Sequence, residues 1–370
     1  MFILSKEYNL KILLATAACI VITVIFLLLF GFENDNNRQK KLKIGLITIG
    51  DIREAGWNAN HYNGIKKAAE EFGIEVVVRD KIGENTGKCA VAIEELAEEG
   101  VGMIFLASGG YAKEVEETIK KYNNIEFATN YSEVKIKNLS TYFARMFQGR
   151  YLSGALAGMR TKTNVIGYVA GMPNSEVMRG INAFTLGVQQ VNPNAKVFVM
   201  WTNDWDNPEI EKLHAKRLVE EAHADVLTYH QAGASTIEMA DSLGVDSIGY
   251  NILLDGYSEH YLTSVICKWD VYYRELIQRY LKGEINSVQS AWFGIDRGIV
   301  MLSMYSPAVT PEMKLKIDEL KQALLDDHLI FSGEIYDNQG NLKCSKDDSI
   351  SDSKLLERTD WLLRGVEILE

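Results

Sequence analysis

Short apolar runs alternate with longer amphipathic stretches between residues 43 and 266. The runs are rich in β-branched residues, and their length and composition predict buried strands. Between the first two runs, Tyr62, Ile65, Ala69 and Phe72 recur at helical intervals and share one helix face. Strands and helices that alternate in this way indicate a parallel sheet covered by helices. The predicted strands are residues 43–49, 74–79, 101–107, 125–129, 165–170, 195–201, 225–230 and 245–250.

The pattern fits two such sheets better than one. The first series of units ends near Leu139, a Gly- and Ala-rich helix is predicted over residues 141–159, and a second series begins at Val165. Later segments, 263–283 and 291–302, look like returning pieces, so the chain is expected to pass between the lobes more than once. We predict lobe 1 in residues 43–140 and 263–288, lobe 2 in 141–262 and 289–310, and a C-terminal helix and tail in 311–370.

An uncharged apolar run, residues 12–32, precedes this part of the chain. At 1.5 Å per residue it is long enough to cross a bilayer as a helix, and it exceeds the apolar core of a cleaved signal. A lipoprotein signal ending at Cys19 is an alternative, although further apolar residues follow where a polar tether is usual. We predict an uncleaved transmembrane anchor, with residues 1–11 in the cytoplasm and residues 33–42 as an external linker.

The net charge of −11 divides into +2 for residues 1–41 and −13 for the remaining 329 residues. Such an acidic domain lacks the basic surface that nucleic-acid binding needs, and it suits a neutral or cationic ligand better than an anionic one. Cys89, Cys267 and Cys344 form no C-x-x-C pair, and their spacing predicts no metal site.

Aromatic and amide residues gather where the predicted strands end. Four of the six tryptophans, Trp57, Trp201, Trp205 and Trp269, lie in these loops. Ligands of open parallel sheets bind outside the carboxyl ends of the strands, so a ligand is expected in the cleft between the lobes. Aromatic faces with amides and hydroxyls nearby suit a flat ligand with polar edges. The alternative is that these tryptophans pack the interlobe hinge.

Sequence motifs for catalysis are missing. The chain contains no G-x-S-x-G, H-E-x-x-H or G-x-x-x-x-G-K-[ST] motif, and its six histidines lack metal-ligand spacing. His230, at a strand end, is a candidate hydrogen-bond donor to a ligand. We therefore predict a binding protein that is not an enzyme and uses no cofactor or metal.

Several stretches together resemble one family. They are Gly56-Trp57 with His61-Tyr62, residues 108–111, 142–143, 149–154, 166–170, 176–184, 201–203 and 262–264, and residues 331–335 with Asp337 and Gly340. From about Lys43 to Arg364 the chain resembles the basic membrane protein family of ABC-transporter substrate-binding proteins, of the purine-nucleoside-receptor type. The resemblance implies the periplasmic-binding-protein type I fold, ligand capture by lobe closure, and delivery to a permease with cytoplasmic ATPases.

The resemblance also implies a ligand class. Members with Gly-Trp in the first loop look like nucleobase binders, in which Trp57 would stack on the base and Asn58 would contribute its amide. Ser108, Asn203 and Gln231 would read the base edge, and three aromatic residues would complete the walls. The expected ligand-binding residues are Trp57, Asn58, Ser108, Gly109, Tyr111, Asn203, Trp205, Gln231, Asn251 and Trp269.

Nucleoside-binding relatives hold ribose with an acidic residue after the strand that ends here at Tyr250, and with a later lysine. Asn251 and Cys267 stand near these two positions, with Lys268 one step on, which favours a free purine base over a nucleoside. The expected function is that of a membrane-anchored extracytoplasmic receptor of an ABC importer. A membrane-tethered sensor or regulator on the same fold is the alternative, because a spanning anchor is unusual for a transport receptor.

Overall fold

Two β-sheets, each packed against helices, form two lobes. The computed structural model describes residues 42–54, 56–254, 256–284 and 290–370. Its helices, in chain order, are α1 (Trp57–Glu71), α2 (Lys88–Glu98), α3 (Tyr111–Glu114), α4 (Glu116–Lys121), α5 (Met146–Arg160), α6 (Ser175–Val191), α7 (Pro208–Glu220), α8 (Ser235–Ser242), α9 (Trp269–Leu281), α10 (Pro311–Leu325) and α11 (Asp352–Glu357). Its strands are β1 (Lys43–Ile47), β2 (Glu75–Arg79), β3 (Met103–Leu106), β4 (Glu126–Asn130), β5 (Leu139–Ala144), β6 (Val165–Ala170), β7 (Lys196–Trp201), β8 (Val226–His230), β9 (Asp246–Tyr250), β10 (Tyr261–Cys267), β11 (Ser290–Phe293), β12 (Val300–Leu302), β13 (Ile335–Tyr336), β14 (Leu342–Cys344) and β15 (Val366–Ile368).

The first lobe has the strand order β11-β5-β4-β3-β1-β2, and every neighbouring pair is parallel. The second lobe has the order β12-β10-β9-β8-β6-β7-β15, in which only β12 runs antiparallel to its neighbour. Strands β3 and β8 are buried along their whole length, as expected of central strands in a sheet that is covered on both faces. The prediction of two parallel α/β lobes is confirmed.

The local sequence explains the element boundaries. All eight predicted strands lie within two residues of β1–β4 and β6–β9. Gly73 and Gly100, with φ of +65° and +77°, follow α1 and α2 and supply the left-handed conformation that ends a helix. Helix α7 begins behind Asn207, whose side chain accepts a hydrogen bond from the Ile210 amide, with Pro208 in the first turn.

The lobe boundaries differ from the expected ones. Residues 141–144 belong to β5 of the first sheet rather than to a helix, so the chain crosses at Arg145. The range 263–288 is divided, because β10 pairs with β9 in the second sheet while α9 packs on α1. The range 289–310 is divided too, between β11 in the first sheet and β12 in the second. The edge strands β11 and β12 were not distinguished because three or four residues carry too little periodicity to be located.

The tail is part of the second lobe rather than an appendage. β15 pairs in parallel with β7 and completes that sheet. The expected anchor at residues 12–32 and the segment 1–11 lie outside the described residues, as does all of the linker except Leu42. In the ranges that the structure does describe, no helix has both the length and the apolar character needed to cross a membrane.

Helices α5 and α6 touch through their backbones. A Cβ on Gly154 would lie 1.9 Å from the carbonyl oxygen of Phe184, and one on Gly187 would lie 1.9 Å from that of Tyr151. Only a glycine permits such an approach, so these two positions set the spacing of the helix pair that fills the centre of the second lobe.

We expect Gly187→Ala to lower the free energy of unfolding by at least about 2 kcal/mol, since the new methyl group must displace backbone atoms. Gly180→Ala is the matched control on the same helix, because its Cβ would meet no heavy atom closer than 3.5 Å. Thermal melts should show a lower Tm for Gly187→Ala and an equal or higher Tm for Gly180→Ala. Equal melting temperatures for the two variants would contradict the packing argument.

Candidate ligand-binding cleft

A cleft of about 740 Å³ lies between the lobes, at the carboxyl ends of both parallel sheets. The two lobes touch beside it, where the backbone of Gly56 in the first lobe packs directly against the Ala232 carbonyl in the second. The first lobe contributes Ile49, Trp57, Asn58, Glu84, Ser108, Gly109, Gly110, Asn130, Tyr131, Glu133 and Phe143. The second contributes residues 172–176, Arg179, Trp205, residues 230–232, Tyr250, Asn251 and Leu356.

Seven of the ten expected ligand-binding residues line this cleft. They are Trp57, Asn58, Ser108, Gly109, Trp205, Gln231 and Asn251. Parallel strands end at a common edge, so the loops that follow them bring these residues together.

Three expected residues lie elsewhere. Tyr111 is fully buried in the first lobe, where its hydroxyl donates to the Ile82 carbonyl at 2.5 Å. Trp269 is 2% exposed and packs behind the cleft wall. Asn203 is exposed on a turn with φ of +54°. All three follow a strand end, but position in the sequence does not fix the direction in which a side chain points.

The Trp57 indole is held in place by the protein. Its Nε1 donates to the Ala107 carbonyl at 2.9 Å, and its ring meets His61 edge-on with centroids 4.4 Å apart. His61 is itself stacked on Trp269, with centroids 4.4 Å apart and planes 19° apart. A half-buried ring fixed at one edge and backed by two others offers a preorganised surface for stacking a flat ligand.

Two of the expected amides are already engaged by the protein. Asn58 Oδ1 accepts from the Gly50 amide at 3.2 Å. In the orientation that satisfies its neighbours, Gln231 donates to the carbonyls of Asp204 and Trp205 and accepts from the Thr202 hydroxyl at 2.8 Å. The Gln231 amide and the Asn58 oxygen therefore shape the loops around the cleft.

Other polar groups in the cleft have no protein partner. Both amide atoms of Asn130 and of Asn251 are buried and make no hydrogen bond to the described residues, although these side chains are only 2% and 4% exposed. The Tyr250 hydroxyl and His230 Nδ1 are also buried and make no hydrogen bond to the described residues. Buried polar atoms without a partner are costly, so these atoms mark where a polar ligand or water would bind. Asn130 ends β4 and belongs to no motif that marks it as a site residue in the sequence.

Charged groups cluster on the second-lobe side. Burial lowers the pKa of His230, against the opposing influence of Glu176 at 3.7 Å, so the imidazole is neutral at neutral pH. Burial acts to raise the pKa of the Glu176 carboxyl, but a hydrogen bond from His230 and the positive charges of Arg179 and Arg150 bring it below its usual value. Arg179 is buried and donates to the Leu355 carbonyl at 2.5 Å. The wall therefore combines an ionised carboxylate, a guanidinium and a neutral imidazole.

Two α/β lobes that face each other across an aromatic and polar cleft define a two-lobed solute-binding protein. Residues 41–339 match the family described as ABC transporter substrate-binding protein PnrA-like, and the chain belongs to this family. The resemblance found in the sequence is thereby confirmed. The family is one of substrate-binding proteins. Solute-binding proteins of ABC transporters are among the solved structures that share the fold.

Individual relatives differ in ligand and role. A purine-binding protein of Brucella abortus is 31% identical over 87% of this chain and 89% of its own length. A candidate ABC-transporter glucose-binding protein of Haloferax volcanii is 28% identical over 87% of this chain and 79% of its own. The crystal structure of a transcriptional activator of the comK gene from Bacillus halodurans superposes with a TM-score of 0.65, at 22% identity, over 76% of this chain and 97% of that one. This last likeness establishes the fold alone.

We expect His61 to make stability sensitive to acid. Burial lowers its pKa to about 3 from an ordinary 6.5. Between these two pH values the unfolded chain binds a proton at His61 and the folded chain does not. The contribution of neutral His61 to the free energy of unfolding is fully present above pH 6.5. It is lost as the pH falls toward 3, at roughly 1.4 kcal/mol per pH unit at most. Denaturant unfolding between pH 7 and 4 should show a shallower loss for His61→Phe than for the parent. Parallel curves would contradict the assignment.

Proposed function

We propose that this protein is an extracytoplasmic receptor of an ABC importer that captures a purine base or nucleoside by closure of its lobes. The observation that carries the proposal is the set of buried, unpartnered polar atoms beside a fixed aromatic ring. Asn130, Asn251, Tyr250 and His230 offer donors and acceptors within a single cleft, and Trp57 offers a stacking face. A heteroaromatic ligand with polar edges would satisfy both sets of groups.

Closure follows from where these groups lie. Trp57 and Asn130 belong to the first lobe, whereas Tyr250, Asn251 and Trp205 belong to the second. A ligand that contacts both lobes has more interactions in the closed arrangement than in an open one, so its binding shifts the population toward closure. The three chain crossings between the sheets are short and would act as the hinge.

A purine is favoured over a sugar by the aromatic wall and by the purine-binding relative. Asn251, a neutral amide in the position expected to hold ribose in nucleoside-binding relatives, favours a free base. The partners would be a membrane permease and its ATPases. Residues 12–32 would anchor the chain in the membrane with the binding domain outside the cell.

The ligand is tested by calorimetry on residues 40–370 with a panel of purine bases, purine nucleosides and glucose. We expect heat of binding from at least one purine, together with a change in tryptophan fluorescence. Heat from glucose alone, or no heat from any purine at high concentration, would overturn the purine assignment.

Trp57→Ala should weaken purine binding by about 1–3 kcal/mol, the range for loss of base–aromatic stacking. Trp57→Phe should retain most of the affinity, because a phenyl ring preserves the stacking face. Trp361→Phe is the matched control, since Trp361 is half-buried and does not line the cleft. An unchanged affinity of Trp57→Ala would remove this ring from the site.

Transport and sensing are separated by uptake in cells. Deletion of the whole chain should abolish high-affinity purine uptake, and a version with residues 1–39 replaced by a lipoprotein signal should restore it, because a receptor needs only a tether. A regulator on the same fold, as in the Bacillus halodurans relative, is favoured if deletion leaves uptake intact and changes gene expression instead.

A further inference from the structure

A carboxylate that belongs to none of the sequence motifs lies in the first-lobe wall of the cleft. Glu84, in the loop after β2, lines the cleft and is half-buried. Its Oε1 accepts two hydrogen bonds, one from the Ser108 hydroxyl and one from the Gly110 amide at 2.9 Å. Its Oε2 makes no hydrogen bond or ion pair with the described residues. One oxygen is therefore fixed by the protein, and the other remains able to accept.

The loop that carries Glu84 is tied down on both sides. Helix α3 supplies the ties: the Tyr111 hydroxyl donates to the Ile82 carbonyl at 2.5 Å. Glu114 accepts from the backbone amides of Asn85 and Gly87 at 2.7 and 2.9 Å. Ser108 and Tyr111, which were expected to contact the ligand, thus hold Glu84 and its loop in position.

The close contact between Gly110 and the Glu84 carboxylate requires a glycine. A Cβ on Gly110 would lie within 2.7 Å of the carboxylate atoms of Glu84, so a larger residue would push the carboxylate away. The neighbouring Gly109 approaches the Tyr131 carbonyl in the same way, which brings the end of β4 and its unpartnered Asn130 to this corner of the cleft. The corner thus combines an anionic acceptor with a free amide.

The carboxylate is also a neighbour of the stacking ring. The Ala107 carbonyl anchors Trp57 through its indole nitrogen, and the next residue, Ser108, anchors Glu84. A flat ligand on Trp57 would lie with one edge toward this part of the strand end. A carboxylate there can accept a hydrogen bond but cannot donate one, and it repels anions.

We propose that Glu84 accepts a hydrogen bond from an amino group on the edge of the ligand, and so selects purines that carry an amino group there. This inference rests on the proposed function of purine binding. The Glu84 carboxylate also excludes phosphorylated ligands from this corner of the cleft, because a carboxylate and a phosphate repel each other.

The test compares ligands that differ only in one amino group: adenine with purine, and adenosine with purine riboside. The parent should bind the amino member of a pair roughly tenfold tighter or more, as expected of a hydrogen bond to a charged acceptor. Glu84→Gln has nearly the same shape, and its oxygen can keep the bonds from Ser108 and Gly110. Its NH₂ then faces the ligand as a donor, so the preference should fall to near one or reverse.

Glu133→Gln is the charge-matched control, because Glu133 lies on the same wall and has no hydrogen-bond partner among the described residues. It should shift both ligands of a pair alike and leave their ratio unchanged. Ser108→Ala, which releases Glu84 without removing it, should reduce the ratio in part. Thermal melts of each variant establish that it is folded.

The results distinguish a failure of the role of Glu84 from a failure of the proposed function. If the parent binds purines with no preference for the amino member, or if Glu84→Gln keeps that preference, the role of Glu84 is overturned while the purine receptor stands. If the parent binds no purine at all, the proposed function fails, and this inference fails with it.

Discussion

The packing of α9 against α1, beside the point where the chain leaves the second sheet, is the contact on which the cleft depends. β10 ends at Cys267, and two residues later the Trp269 indole stacks on His61 of α1. Gly64 permits this approach, since a Cβ there would lie 2.8 Å from the Cβ of Trp269. His61 in turn supports the edge of Trp57. The hinge segment and the ring that faces the cleft are therefore joined through one buried aromatic cluster.

The polar groups around the cleft divide into two classes with different consequences. Amides that bond to the protein, such as those of Asn58 and Gln231, fix the loops that form the walls. Amides without a protein partner, those of Asn130 and Asn251, gain hydrogen bonds only from what enters the cleft. Walls fixed by the protein and polar groups without a protein partner together give a cleft with preorganised hydrogen-bonding groups.

Charge is distributed unevenly between the two walls. The second-lobe wall holds the guanidinium of Arg179 near the Glu176 carboxylate and the neutral His230, whereas the first-lobe wall presents Glu84. An asymmetric ligand therefore meets different chemistry at its two ends, which favours one orientation in the cleft. The −13 charge outside the N-terminal segment disfavours anionic ligands over the whole domain.

The class of fold could be predicted from the order of residues alone. Buried strands alternate with amphipathic helices, and this periodicity located eight strands, two lobes and a cleft at the strand ends, because a parallel sheet requires that arrangement. Which side chains face the cleft depends instead on how the folded chain packs. Tyr111, Asn203 and Trp269 follow strand ends as Trp57 does, yet they point elsewhere. Glu84 and Asn130 carry no local signal, because their role depends on partners distant in the chain and on buried atoms left without one.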